Sequence, residues 1–182
     1  MKSLIFTLLI LTMAPCMAGV YGDLEFGDDR NTVTKKLQQS KLVEQTINTS
    51  LISRTGLNGI FKCKTPLAGL SYHLFFDWNE NGGLREITLR SEDINKSTYS
   101  STLYKAWNEA GQLFSRVYGA PAQNAGFPDR HDVSQHGMMM SHIWHRDDDQ
   151  SVLLGAGIEK DQCFLAIRFI NQRIEPVRIP AK

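Results

Sequence analysis

Charge of one sign is missing from this sequence. Twenty Lys and Arg stand against nineteen Asp and Glu, a formal net charge of +1 at pH 7. That balance gives no electrostatic ground for expecting nucleic acid or an anionic membrane as partner. A membrane-length apolar run is missing too. Leu4 to Met13 is apolar apart from Thr7 and Thr12, but a stable span needs about 20 residues. No Gly-x-Ser-x-Gly elbow is present, and with it goes the commonest signature of a nucleophilic serine. Asp147-Asp-Asp149 lacks the alternating spacing and trailing Glu of a calcium loop and reads as a solvated turn. Nothing in the chain amounts to a catalytic or cofactor motif.

What stands at the start is an address. Met1-Lys2-Ser3 is a short positive lead, the apolar run follows, and Ala14-Pro-Cys-Met-Ala18 places small residues at Cys16 and Ala18. This is the layout of a secretory signal peptide over residues 1–18, cut after Ala18. A buried N-terminal helix is the alternative. Acylation of Cys16 is a lesser one, opposed by Pro15 in front of it. Lys2 is the only charge lost with the leader, so the remaining chain is formally neutral. The expected location is periplasmic or secreted.

Two cysteines remain, Cys63 and Cys163, each on the apolar face of an expected strand. An even number in an oxidising compartment points to a Cys63–Cys163 disulfide. It would close a loop of about 100 residues and contribute up to about 4.7 kcal/mol in the chain-entropy picture. Two separately buried thiols are the other reading, because cysteine also packs as a small hydrophobe.

The chain is organised around Leu57–Leu89. In its middle member Leu70, Tyr72, Leu74, Phe76 and Trp78 alternate with Ser71, His73 and Asp77, the period of a half-buried antiparallel strand. Asn79-Glu-Asn-Gly-Gly83 is a hairpin signal, and Leu84–Arg90 returns. Ahead of this stretch, Asp28 or Asp29 caps a helix to about Ser40 with Val33 and Leu37 inward; Leu42–Leu51 is ambiguous. Behind it, Leu103, Trp107, Ala110, Phe114 and Val117 predict an amphipathic helix. Gly111 inside it allows close approach to the sheet, and Gly119 and Pro121 end it. Ala120–Arg130 reads as a loop, and three strands follow at about His136–His145, Ser151–Ile158 and Gln162–Ile170.

The element order is thus helix, three strands, helix, three strands. It predicts an α+β fold of two tandem helix-plus-antiparallel-strand repeats, about 23–93 and 94–172, sharing one sheet with the helices on one face. Residues 19–172 form one domain, and 173–182 a C-terminal tail with Pro176 and Pro180.

Phe26-Gly27, the acidic cap, and Val33 and Leu37 in the helix behind it, with the helix-then-sheet order stated twice, carry a resemblance. The chain resembles the secreted bacterial α+β modules related to the β-lactamase inhibitory protein and to the small outer-membrane lipoproteins SmpA and OmlA. That resemblance implies a fold and a tendency to bind proteins, not an enzyme, and it assigns no individual residue.

Two constellations remain. Trp78, Trp107 and Trp144 read first as core; the other reading is an open sheet face bearing Tyr72 or Trp144, which makes these two the candidate contacts for a protein partner. His131, His136, His142 and His145 with Met138-Met-Met140 combine imidazole and thioether, a copper-favouring set. As a strand, His136, Met138, Met140 and His142 would share one face and His145 the other. No tight ligand quartet can be drawn, and Met as core filler is the alternative. Asp77, Glu80, Glu86 and Glu92 have no spacing that puts two of them on one cleft. Ser141 beside His142 reads as a mere neighbour pair. The expectation is an exported, non-enzymatic protein-binding module, of which an inhibitor or immunity-type protein is one form, with no cofactor, no nucleic-acid partner and no membrane span. The alternative is a periplasmic metal-binding protein using the His/Met strand.

Overall fold

The computed structural model describes residues 20–47, 56–146 and 149–177. The expected signal peptide, the end of the ambiguous 42–51 segment, and Asp147 and Asp148 lie outside the described residues. Asp29 opens α1 (Arg30–Gln39) by accepting the Thr32 amide at 2.7 Å, which satisfies one of the free donors of the first turn. Val33 and Leu37, one turn apart, are both buried. The ambiguous segment contributes a short strand, β1 (Val43–Gln45). Then come β2 (Phe61–Cys63), β3 (Tyr72–Trp78) and β4 (Leu84–Ser91). In β3 the alternation holds: Tyr72, Leu74 and Phe76 are buried, whereas Asp77 is exposed. The Asn79 side chain accepts the amides of Asn81 and Gly83, and Gly82 takes a φ of 78°, a conformation that favours glycine.

Past β5 (Ile94–Asn95), a π-helical turn at Tyr99–Leu103 leads into α2 (Tyr104–Tyr118). Tyr99 donates its hydroxyl to the Pro128 carbonyl at 2.9 Å and pins that turn to the loop beyond the helix. Leu103, Trp107, Ala110 and Phe114 are buried as their spacing demands. Val117 is not: it is 62 % exposed. Tyr118 takes the core position of the last turn instead and stacks on Phe114. Gly119 ends the helix at φ 82°.

The region after α2 departs from expectation. It holds a two-residue strand, β6 (Gln123–Asn124), and a short helix, α3 (Arg130–His136). His136 therefore ends a helix and does not begin a strand. Asp129 caps α3 through the His131 amide, Val133 is fully buried, and Gly137 stops it at φ 77°. Only then do β7 (Met138–His145), β8 (Ser151–Glu159) and β9 (Gln162–Ile170) follow.

The nine strands make one antiparallel sheet in the order β1-β2-β3-β4-β9-β8-β7-β6, with β5 continuing the line of β4 along β9. Where β4 gives way to β5, the Ser91 hydroxyl fills the ladder by accepting the Leu165 amide at 3.0 Å. One core cluster joins side chains of α1, α2 and α3 to alternate residues of the long strands. On the other face Ile143, Leu153 and Ile170 form a small separate cluster with Met140 and, from the tail, Ile174. The fold is α+β.

The sheet order corrects the expected disulfide. Cys63 and Cys163 are both free and buried. β3 and β4 lie between the strands that carry them. Three strand spacings of about 4.8 Å put the two backbones about 14 Å apart, and a disulfide tolerates no more than about 7 Å. Each thiol has its own polar neighbour: Tyr21 Oη lies 3.1 Å from Cys63 Sγ, and the Asn95 carbonyl 3.7 Å from Cys163 Sγ.

Candidate functional sites

The first candidate is the sheet face turned away from the helices, over β2, β3, β4 and β9. Alternation delivers Lys62, His73, Phe75, Asp77, Glu86, Thr88, Arg90, Phe164 and Arg168 to it. Its charges are held in fixed pairs. Arg168 grips Glu86 with two hydrogen bonds of 2.6 and 2.7 Å, and Thr88 donates to the same carboxylate. Arg85 pairs with Asp77, whose carboxyl it holds below the usual carboxylate range. Lys62 meets Glu92 at 2.6 Å. The Arg90 guanidinium lies 3.9 Å over the Phe164 ring and bridges to Asp93. His73 Nδ1 is 3.0 Å from the Gly59 carbonyl, so this nitrogen donates. Gly59, His73, Phe75, Arg90 and Glu92 line a hollow of about 340 Å³ at one end of this face.

The second candidate lies on the helix side, between α2 and the β6–β7 edge. A pocket of about 330 Å³ is lined by Trp107, Asn108, Gly111, Gln112, Ser115, Arg116, Asn124 and His142. The geometry behind it starts in β7. Met140 pairs with Gly155 and His142 with Leu154, so Ser141 is an extra residue, a β-bulge. The bulge reverses the alternation. Met140 stays on the outer face, while His142 and Trp144 turn to the helices. His142 stacks on Trp144 with ring centroids 5.1 Å apart and planes 7° apart. Trp107 donates Nε1–H to Ser141 Oγ at 2.8 Å, Ser141 donates to the Leu154 carbonyl at 3.0 Å, and Ser141 Oγ is 3.0 Å from His142 Nδ1. A hydroxyl has one proton. With Leu154 receiving it, the bond to His142 requires Nδ1–H as donor. His142 Nε2 then carries a lone pair. Burial pushes this imidazole below its ordinary pKa and keeps it neutral.

The residues singled out from sequence fall as follows. Tyr72 and Trp144 are not on an open face: both are 0 % exposed. Tyr72 follows the strand alternation into the core, and the Ser141 bulge turns Trp144 the same way. Neither can touch a partner. The shared face expected for His136, Met138, Met140 and His142 does not exist either, because His136 belongs to α3 and the bulge separates His142 from Met140. His145 points elsewhere and donates Nε2–H to the Ile174 carbonyl at 2.9 Å. Among the described residues no group of three or more His, Cys, Asp or Glu is gathered closely enough to hold a metal ion, and no helix is long and apolar enough to cross a membrane. The Ser141–His142 contact, read from sequence as a mere neighbour pair, is real, but Ser141 is buried and its proton is committed to a carbonyl. No protein-family model, no curated protein and no solved structure matches this chain.

Proposed function

We propose that the chain is an exported, non-enzymatic module that binds another protein through the sheet face opposite the helices. The supporting observation is that face. Its charged groups already stand in ion pairs, the Glu86–Arg168 pair with two hydrogen bonds, and the half-buried Phe75 and His73 stand beside a hollow of about 340 Å³. A preorganised, mixed face of this kind loses little side-chain entropy on docking, and an aromatic side chain beside a recess is a typical anchor for a partner. An inhibitor or immunity-type role is the form of binding we favour, in the periplasm or outside the cell, as the leader at 1–18 suggests.

The tandem-repeat reading belongs to the same proposal. The strand order is a palindrome of the two halves. β4 and β9, the last long strands of each half, meet in the middle, and the short β1 and β6 sit at the two edges. Two like units joined last strand to last strand would give this order, and so would kinship with the inhibitor-like modules.

The test is site-specific photo-crosslinking in periplasmic extract. A photoreactive residue is placed at Phe75 and, in a second protein, at exposed Glu109 on α2. The expected result is one discrete adduct from position 75 that Phe75→Asp in the unlabelled competitor fails to suppress. Adducts from position 109 only, or none above background, would overturn the reading.

A further inference from the structure

The helix-side pocket has features that packing does not require. Gly111 sits mid-helix, where glycine is less favourable than alanine. Yet the nearest atoms a Cβ there would meet are Leu154 Cδ2 at 3.7 Å and His142 Nε2 and Cε1 at 3.8 and 3.9 Å. Those are ordinary van der Waals contacts, so the close approach of α2 to the sheet does not need a glycine. What the missing methyl does leave is a way to His142 Nε2. That nitrogen belongs to a residue only 6 % exposed, and no protein donor meets its lone pair among the described residues. The Trp107–Ser141–Leu154 network fixes the ring so that this lone pair is on offer.

The rest of the lining states what would fit. Arg116 is the one formally charged residue in it, no carboxylate lines the pocket, and Arg116 makes no ion pair among the described residues. A cation is disfavoured and an anion favoured. Asn108, Gln112 and Ser115 add neutral donors and acceptors, and the Asn124 carbonyl oxygen is already used by the Gly126 amide, leaving its NH₂ as a donor. The space of about 330 Å³ is at the small end of ligand pockets, roughly 300–1,000 Å³. We propose that this pocket binds a small carboxylate bearing a hydroxyl group beside it, with the carboxylate on Arg116 and the neighbouring O–H donating to His142 Nε2. This site is independent of the outer sheet face.

L-malate and succinate are suitable probes because they differ by one hydroxyl. In the full exported chain, long-range ¹H–¹⁵N spectra report the His142 ring directly. The expected starting state is Nδ1–H with an unprotonated Nε2. Titration with L-malate is expected to shift Nε2 and to give at least tenfold tighter binding than succinate, since an acceptor built to receive a donor is left unpaired by the analogue lacking it. Arg116→Gln, a surface change, is expected to weaken malate binding at least tenfold without moving the His142 tautomer. Gly111→Ala is expected to abolish the Nε2 shift in a protein that melts no lower than its parent. An Nε2–H tautomer, equal binding of the two acids, malate binding unchanged in Arg116→Gln, or no Nε2 shift with malate would each overturn the proposal.

Discussion

The Phe164 ring lies directly over Gly157, its cross-strand partner in the β8–β9 ladder. A Cβ at position 157 would come within 2.2 Å of that ring. The Arg90 guanidinium also lies 3.9 Å from the centre of that ring, so a shift of the ring disturbs this contact as well. Gly157→Ala is therefore expected to destabilise the fold by about 1–3 kcal/mol, the usual cost of overpacking. Phe164→Ala combined with it should recover much of that loss. Urea denaturation of the two single variants and the double variant measures the coupling; additive losses would show that ring and glycine do not compete for space.

Gly111 should behave in the opposite sense. Its backbone is helical, and the space beside it accepts a methyl group. Gly111→Ala is expected to stabilise the protein by about 0.5–1 kcal/mol through helix propensity and a less flexible unfolded chain. Two mid-element glycines, one replaceable and one not, are told apart by what surrounds their absent side chains. A drop in melting temperature for Gly111→Ala would show that α2 sits closer to β7 than its contacts indicate.

His142 sets a pH dependence. Burial lowers its pKa in the folded state below the unfolded value near 6.5. Above that value both states hold the ring neutral, and it imposes no penalty. As pH falls below it, the unfolded chain takes up a proton that the folded chain resists, so stability is lost until the folded pKa is passed. Denaturant midpoints should therefore fall between pH 7 and 5 more steeply than in His142→Gln, whose side chain cannot titrate. Equal slopes for the two proteins would mean that the buried ring accepts its proton freely.

Much of this architecture is readable from local pattern. The β3 stripe, the Asp29 cap, the Asn79–Gly83 turn and the Leu103–Phe114 face each depend on residues within a few positions of one another. What stays hidden depends on distant partners. The Ser141 bulge has no signature in Met-Met-Met-Ser-His, because bulges are set by register against the next strand. One extra residue then sets which face Trp144 takes and decides for core, the first reading of that tryptophan, over the open-face contact. The helix α3 was screened by the Pro- and Gly-rich loop before it, although Asp129 and Gly137 bracket it. The pocket requires Gly111 of a helix to face His142 of a strand, a meeting that period and propensity do not encode. The Glu86–Arg168 pair, far apart in sequence, is invisible for the same reason.

The cysteines give the plainest contrast between compartment logic and sheet order. An oxidising compartment favours pairing two thiols, but pairing requires proximity, and β3 and β4 keep Cys63 and Cys163 apart. Burial also pushes both thiols up in pKa, which leaves little thiolate to start exchange. The folded protein is thus expected to leave Cys63 and Cys163 unreacted with a thiol-specific chromogenic reagent, and the denatured protein to release both at once. Its melting temperature should be the same with and without reductant, whereas a bridge spanning about 100 residues would raise the oxidised form by several kcal/mol. An intact mass lighter by two hydrogens, restored on reduction, would require a different strand order from β2 to β9.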